Sequence, residues 1–322
     1  MATPLMRMTT APDRSFRHHD MADTIVERAP AKVNLALHVT GRRGDGYHEL
    51  DSLVAFTEFG DTVRVSLADK DEIVPTGPGV MSLMTMDRNI VEDARDALRA
   101  ASPSVDASVR IEVEKWIPVA AGLGGGSADA AATLRALNRL WELDLSEQRL
   151  CEIGLSLGAD VPMCVASRTA VARGIGEHLM PLAGLGLDRF HVVLVNPTFE
   201  QNAVSTPAVF EALANPNNAP MPPLPTTLEG TTPEESALEW LRGCRNDLLD
   251  AALTVEPAIQ DVLDALNDAL LARMSGSGAT CFALYGTRAE ADEAKERLQR
   301  VHPEWFVGVT RFVEGEHSWE RR

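Results

Sequence analysis

Several things are missing from this 322-residue chain, and each absence removes a class of protein. Its four cysteines, Cys151, Cys164, Cys244 and Cys281, are widely spaced and form no CxxC or zinc pattern. They read as reduced core residues of a cytosolic protein, not as a disulfide framework. No run approaches the ~20 apolar residues of a membrane-spanning helix. Basic residues are scarce, 30 Lys and Arg against 47 Asp and Glu, and form no stripe. The resulting net charge of −17 argues against a nucleic-acid partner. The first two dozen residues carry Arg7, Arg14, Arg17 and the pair His18-His19 but no apolar core, so they are not a secretory signal. Asp13, Asp20 and Asp23 argue against a transit peptide. Residues 1–24 therefore read as a disordered tail, with Met21 a candidate biological start. There is no internal repeat.

What is present is enough for a large core: 45% of the chain is apolar, and its length suggests two domains. A composition shift over Leu182–Leu187 (LAGLGL) places the expected boundary between residues 25–184 and 185–322. Strand signals crowd Ile25–Asp69, followed by a helix over Asn89–Ala101 and a strand over Val109–Lys115. After a glycine run and its helix, WELDLSEQRL reads as more helix, and a further helix spans Ser146–Leu157. Short strands are expected at Thr169–Ala172 and Glu177–Met180. The second half reads as a strand (His191–Val195), a helix near Thr206–Leu213, and a proline-rich mobile surface loop over Asn215–Glu235. Helices over Ser236–Ala252 and Ala258–Leu271, a strand (Ala279–Tyr285), a helix (Arg288–Val301) and a strand (Trp305–Phe312) complete it. The order is α+β, of the split-βαβ kind.

The most informative stretch is Pro118-Val119-Ala120-Ala121-Gly122-Leu123-Gly124-Gly125-Gly126-Ser127-Ala128. Glycines tolerate positive φ and let backbone N–H groups converge on a ligand. The helix that follows adds unpaired N–H groups and a positive dipole end, which suit a phosphate. A Walker A loop requires Gly-Lys-Ser/Thr, and here Gly126 runs straight into Ser127. A dinucleotide fingerprint requires a strand directly before the glycines, but a proline-containing link intervenes. Ala130, Leu134, Leu137 and Trp141 mark the apolar face of the helix, with Ser127 the expected N-cap. Asp129 complements the dipole in the first turn, or, on a sharper reading, binds magnesium.

Other segments carry chemistry-bearing side chains. In AKVNLALHV the two-residue period puts Lys32 and Asn34 together on one strand face. Asp160, in LGADVP, falls just past a helix end, where a loop turns into a strand; taken alone it is a turn aspartate. GRRGDGYHE is a turn-rich segment ending in Tyr47 and His48. A further glycine cluster, MSGSGAT with Gly276, Ser277 and Gly278, links a helix to the next strand and offers backbone donors for a second anionic group.

Together these pieces resemble the GHMP small-molecule kinases. PVAAGLGGGSADAA is similar to that family's ATP-phosphate motif, while AKVNLALHVTGRRGDGYHEL, LGADVPMCV, GIGE and SGSGATCFALYG follow in the family's order. The likeness spans about Arg28 to Tyr285, leaving out the N-terminal tail and the length of the proline-rich loop. It implies an N-terminal ATP domain of the ribosomal-protein-S5-domain-2 type and a ferredoxin-like C-terminal substrate domain. It also implies ATP with Mg2+ as phosphoryl donor, Pro118–Ala128 as its cradle, and Lys32 and Asp160 as catalytic residues, with no protein metal ligand assigned. The flanking motifs resemble the branch whose acceptor is a cytidine-diphosphate-linked methylerythritol of the non-mevalonate isoprenoid route. In that branch Tyr47 and His48 match residues that hold the cytosine, and Asn34, Thr206 and Phe210 match acceptor contacts. A cytoplasmic monomer or weak homodimer is expected, without membrane or nucleic-acid partner. Alternatives are a homoserine- or mevalonate-type kinase, whose substrates carry no base for Tyr47 and His48 to hold, and a catalytically silent nucleotide-binding regulator, which has no use for Lys32 and Asp160 together.

Overall fold

Two long strands run from residue 25 onward, where β-branched and leucine residues alternate with few breaks. The computed structural model describes residues 24–79, 89–197, 204–225 and 230–313. The tail expected over residues 1–24 lies outside them except for its last residue, as does the stretch 226–229 of the proline-rich loop. Strands β1 (Ile25–Arg42) and β2 (His48–Leu67) pair antiparallel. The register breaks between Pro30 and Lys32, Asn34 and Ala36, and Val39 and Gly41. Pro30 has no N–H to give the ladder, and such breaks bend a strand and re-aim its side chains.

Among the described residues the first sheet has six strands: β3 (Glu72–Thr76), β4 (Val109–Glu114), β2, β5 (Ala170–Gly174) and β6 (His178–Pro181) in that order, with β1 also on β2. Only the β3–β4 pair is parallel among its described pairings. Helices α1 (Ile90–Ala101, capped by the Asn89 side chain), α2 (Gly125–Leu140), α3 (Glu147–Leu155, capped by Ser146) and α4 (Val161–Ala166) pack with it. Their shared core joins Val63, Val65, Ile111 and Val113 of the sheet to Ala130, Leu134 and Leu137 of α2. The alanine-rich buried face of α2 lets its backbone approach the sheet closely.

The second sheet is antiparallel, in the order β10 (Phe306–Arg311), β7 (His191–Asn196), β9 (Cys281–Tyr285), β8 (Leu271–Met274). Helix α9 (Arg288–Val301), opened by a Thr287–Glu290 capping box, joins β9 to β10. Between β7 and β8 run α5 (Thr206–Glu211), α6 (Pro233–Arg242), α7 (Leu249–Val255) and α8 (Ala258–Ala265). This order is the ferredoxin-like split βαβ, so the α+β expectation holds. No helix among the described residues is long and apolar enough to cross a membrane.

Some elements differ from the sequence reading. WELDLSEQRL does not extend α2: the helix ends at Leu140, and Glu142 and Asp144 take positive φ before α3 begins. The helix expected over Ser236–Ala252 breaks after Arg242, where Asn246 turns its side chain to the carbonyls of Met274 and Gly276, 2.8 Å from each. The one expected over Ala258–Leu271 stops at Ala265, and Leu271–Met274 is instead an edge strand. The MSGSGAT cluster therefore links two strands, not a helix and a strand.

The described part of the proline-rich segment is pinned, in contrast to the free surface loop its composition suggests. Asn218 N–H donates to Val39 O (3.0 Å) and Met221 N–H to Asp51 Oδ2 (2.9 Å). His38, fully buried on β1, holds both sides: its Nδ1 lies 3.1 Å from Ala219 O, and Arg245 N–H donates to its Nε2 at 3.2 Å. A ring that accepts at Nε2 must be neutral. Burial pushes its pKa below the ordinary 6.5. Above pH 6.5 the folded and unfolded chains both carry it neutral; as pH falls below 6.5 the unfolded chain takes up the proton first, so stability is lost on the acid side. We predict that the urea midpoint drops between pH 7 and pH 5.5 by more in the wild type than in His38→Gln. Parallel curves would remove His38 as the source.

Candidate active site

Helix α2 begins at the glycine run, and its first residues show how the site is built. Gly124, not Ser127, is the N-cap: it sits in the left-handed region (φ 66°, ψ 24°) and makes no side-chain cap bond. Ser127 is instead the third helical residue. Side-chain capping would fill the helix mouth; a glycine cap leaves the amides of Gly125, Gly126 and Ser127 without intrahelical partners. A Cβ at Gly124 would also crowd Lys32, lying 3.3 Å from its Cε. The lysine runs directly over the loop, and Lys32 N–H donates to Leu123 O at 2.9 Å.

The two glycine clusters are packed against each other. Ser275 Oγ donates to Gly122 O (2.9 Å) and accepts from Asn34 N–H (3.1 Å), while Thr280 N–H donates to Ala121 O (3.1 Å). Ser275 is fully buried. Ser275, Thr280 and Asn246 were not singled out by sequence reasoning. The cluster suggested backbone donors for a ligand, and no one-dimensional signal marks a hydroxyl aimed at a loop 153 residues away.

Lys32 Nζ and Asp160 Oδ2 form an ion pair of 2.6 Å. The lysine side chain is 7% exposed and the aspartate 38%, so the carboxylate faces open space while the ammonium is held beneath. Asp160 does not precede a strand. It stands at the N-terminal edge of the short helix α4, makes no cap bond, and is therefore free to meet Lys32.

A second lysine lies deeper. Lys115 is fully buried, with Nζ 2.6 Å from Asp129 Oδ2 and in contact with Asp61. Asp61 Oδ1 also accepts the N–H groups of Trp116 (2.5 Å) and Ile117 (2.8 Å), which fixes the chain entering the glycine loop. Burial opposes the charge of Lys115, but Asp129 and Asp61 outweigh it and hold its pKa above the ordinary value. Burial, together with the charge of Asp61, raises the Asp129 pKa above the ordinary carboxylate range, and Lys115 opposes that rise. Asp129 is therefore a buried partner of Lys115, not an exposed dipole residue, because a carboxylate 1% exposed needs a cation beside it.

A cavity of about 990 Å³ unites these groups, large enough for a nucleotide with a second ligand. It is lined by Lys32, Asn34, Asp160, Val119 to Gly122, Gly124 to Ser127, Gly276 and Ser277. Tyr47, His48, Thr206 and Phe210 line it too. His48 stacks on Phe210 with ring centroids 4.8 Å apart and 23° between planes. Burial and nearby Arg42 lower the His48 pKa. Tyr47 is 59% exposed beside this stack, and Thr206 Oγ1 lies 2.8 Å from Ser277 Oγ. Four expected residues do not line the cavity. Pro118 and Leu123 are buried beneath the loop, Ala128 N–H is taken by Gly124 O at 2.8 Å, and Gly278 N–H by Ser275 O at 3.0 Å.

Comparison with known proteins agrees with this architecture. Residues 89–168 match the GHMP kinases N terminal domain and residues 235–304 the GHMP kinases C terminal domain, so fold and site define a small-molecule kinase of the GHMP class. A 4-diphosphocytidyl-2-C-methyl-D-erythritol kinase of Mesorhizobium japonicum is 48% identical over 294 residues, covering 89% of this chain and 96% of that protein. One of Agrobacterium fabrum is 44% identical over 307 residues, covering 92% and 100%. A crystal structure of 4-(cytidine 5'-diphospho)-2C-methyl-D-erythritol kinase superposes with a TM-score of 0.70 at 34% identity, covering 89% of this chain and 99% of that one. The homoserine kinase of Cytophaga hutchinsonii, TM-score 0.60 at 19% identity, shares the fold. The chain belongs to the 4-diphosphocytidyl-2-C-methyl-D-erythritol kinase family.

The clamp between the glycine loops is testable at Gly122. A Cβ there would lie 2.3 Å from Ser275 O, and φ is +77°. Gly184 has the same φ of +77° and nothing within 4 Å of its would-be Cβ. We predict that Gly184→Ala costs about 1 kcal/mol by urea unfolding, the backbone penalty alone. Gly122→Ala should cost roughly 3 kcal/mol or more and also weaken ATP binding. Equal losses would refute the clamp.

Proposed function

We propose that this protein transfers the γ-phosphoryl group of ATP to the 2-hydroxyl of 4-diphosphocytidyl-2-C-methyl-D-erythritol, giving ADP and the 2-phosphate. The observation that carries the reading is the Lys32–Asp160 pair in the same cavity as the glycine-capped start of α2. The amides of Gly125, Gly126 and Ser127, with the helix dipole behind them, suit the phosphates of the nucleotide.

Asp160 serves as the base in this reading. An aspartate cannot deprotonate an alcohol outright, since the pKa gap is on the order of ten units. It can orient the hydroxyl and take its proton as the bond to phosphorus forms, which a loose transition state permits. Lys32 holds the Asp160 carboxylate in place through their 2.6 Å ion pair and offsets the charge that develops on the attacking oxygen and the transferring phosphoryl. The O–P bond to the acceptor forms as the bond to the ADP leaving oxygen breaks, and the hydroxyl proton passes to Asp160.

Among the described residues no group of three or more His, Cys, Asp or Glu could hold a metal ion. Asp129 and Asp160 are both engaged with lysines. A Mg2+ ion here would be carried by the phosphate oxygens of ATP, with Ser127 on the cavity wall the residue that would hold it, and it would neutralise phosphate charge. The His48–Phe210 stack and exposed Tyr47 supply aromatic surface suited to a cytosine ring. Homoserine and mevalonate offer no base for that surface.

Asp160→Asn is expected to lower turnover by at least about a thousandfold while ATP still binds. Release of ADP measured with the cytidyl acceptor, with ATP binding measured by calorimetry, checks this; wild-type turnover in the variant would sink the base assignment. Tyr47→Ala should raise KM for the cytidyl acceptor far more than KM for ATP, and equal rises would take Tyr47 out of the acceptor pocket.

A further inference from the structure

Asn34 combines three features that a simple structural residue does not have. It is 5% exposed yet lines the cavity, its Nδ2 donates to Ser52 Oγ at 2.9 Å, and its Oδ1 is buried without a partner. Leaving a buried amide oxygen unsatisfied is costly, so such an atom is expected to meet a donor that arrives with a ligand. Gly276 keeps the way clear, because a Cβ there would lie 3.4 Å from Asn34 Oδ1.

Ser52 decides which way the carboxamide faces. A serine hydroxyl has one proton. Ser52 Oγ lies 2.6 Å from Ala36 O, which can only accept, so the proton points there. Toward Asn34 the hydroxyl therefore offers lone pairs alone, and only the NH2 end of the amide can answer. A flipped amide would set oxygen against oxygen. The arrangement sits at the β1–β2 register break, where Asn34 pairs with Val54 but Ala36 pairs with Leu53. Ser52 is itself buried, 2% exposed, and does not compete for a ligand as a free donor.

The orientation has a chemical consequence. Asn34 lies two residues from Lys32 on the same face of β1, roughly 7 Å along the strand. Phosphate oxygens are acceptors, and an amide oxygen aimed at them repels; an amide NH2 in its place would attract them. A hydroxyl donor is what Oδ1 can bind. We propose that Ser52 is a positioning residue that locks Asn34 Oδ1 toward the cavity, where it accepts from a hydroxyl of the polyol part of the acceptor and turns phosphate away. This inference rests on the acceptor assigned above.

The test is steady-state kinetics of the full chain with ATP and the cytidyl-methylerythritol acceptor, comparing Ser52→Ala, Ser52→Thr, Asn34→Ala and the Ser52→Ala/Asn34→Ala double variant, with thermal unfolding of each. Ser52→Ala should raise acceptor KM about tenfold and leave ATP KM within about twofold. Ser52→Thr, which keeps the hydroxyl, should restore most of the loss. The double variant should be no worse than Asn34→Ala, because Ser52 acts only through that amide. Wild-type acceptor KM in Ser52→Ala, equal rises in both KM values, or additive losses in the double variant would each overturn the proposal. A wild type inert toward this acceptor would instead overturn the acceptor assignment, and the role of Asn34 with it.

Discussion

Two glycine loops that lie far apart in the chain touch through their backbones, and the site exists because they can. Gly122 is so close to Ser275 and Gly278 that no side chain fits between them. Into this contact the Ser275 hydroxyl inserts two hydrogen bonds, one to Gly122 and one to Asn34. One small side chain thereby ties the first glycine loop to the strand bearing Lys32 and to the second sheet. Buried polar backbone groups must be paired somewhere, and here pairing them also sets the geometry of the cavity. Glycine is needed at Gly122 for both reasons at once, positive φ and a Cβ position already filled by backbone, while Gly124 is set by its positive φ.

Two lysine–aspartate groupings stand near the loop, and burial separates their roles. Lys115, Asp61 and Asp129 are closed off from solvent, and Asp61 also holds the amides that lead into the loop. Fully buried charge of this kind is tolerated because each group has a partner, and breaking it would leave an uncompensated ion. It is a foundation for the loop. Lys32–Asp160 differs in that its carboxylate is partly open to the cavity. A carboxylate 38% exposed can exchange partners with an incoming hydroxyl far more readily than one buried under the cavity wall.

Much of the fold was legible where one physical signal dominated. The helix over Arg288–Val301 carries a capping box and an apolar stripe, and it was placed with the observed bounds. The strands around it alternate or are wholly apolar. Legibility failed where long-range contacts overrode local pattern. Leu271–Met274 is too short to show a period, and only its pairing with Cys281–Leu284 makes it a strand. The break after Arg242 exists because Asn246 is recruited to the Met274 and Gly276 carbonyls. The proline-rich segment has the composition of a loop, yet backbone bonds to Val39 and Asp51 hold its described part down.

The sequence by itself determined the glycine loop at the mouth of a helix, the shared strand face of Lys32 and Asn34, and a set of motifs specific enough to mark a family. These are local properties: glycine freedom, the two-residue strand period, and residue identity at short spacing. Tertiary structure decided which of those residues meet. Lys32 and Asp160 are 128 positions apart, and their 2.6 Å contact depends on how β1 and α4 pack. Asp129 looks like a dipole-complementing residue along the chain and becomes a sealed ion-pair partner only because Lys115 and Asp61 close around it. The facing of the Asn34 amide depends on the last proton of Ser52, one strand away. Hydrogen-bond direction and burial are relations between segments, and no residue carries them alone.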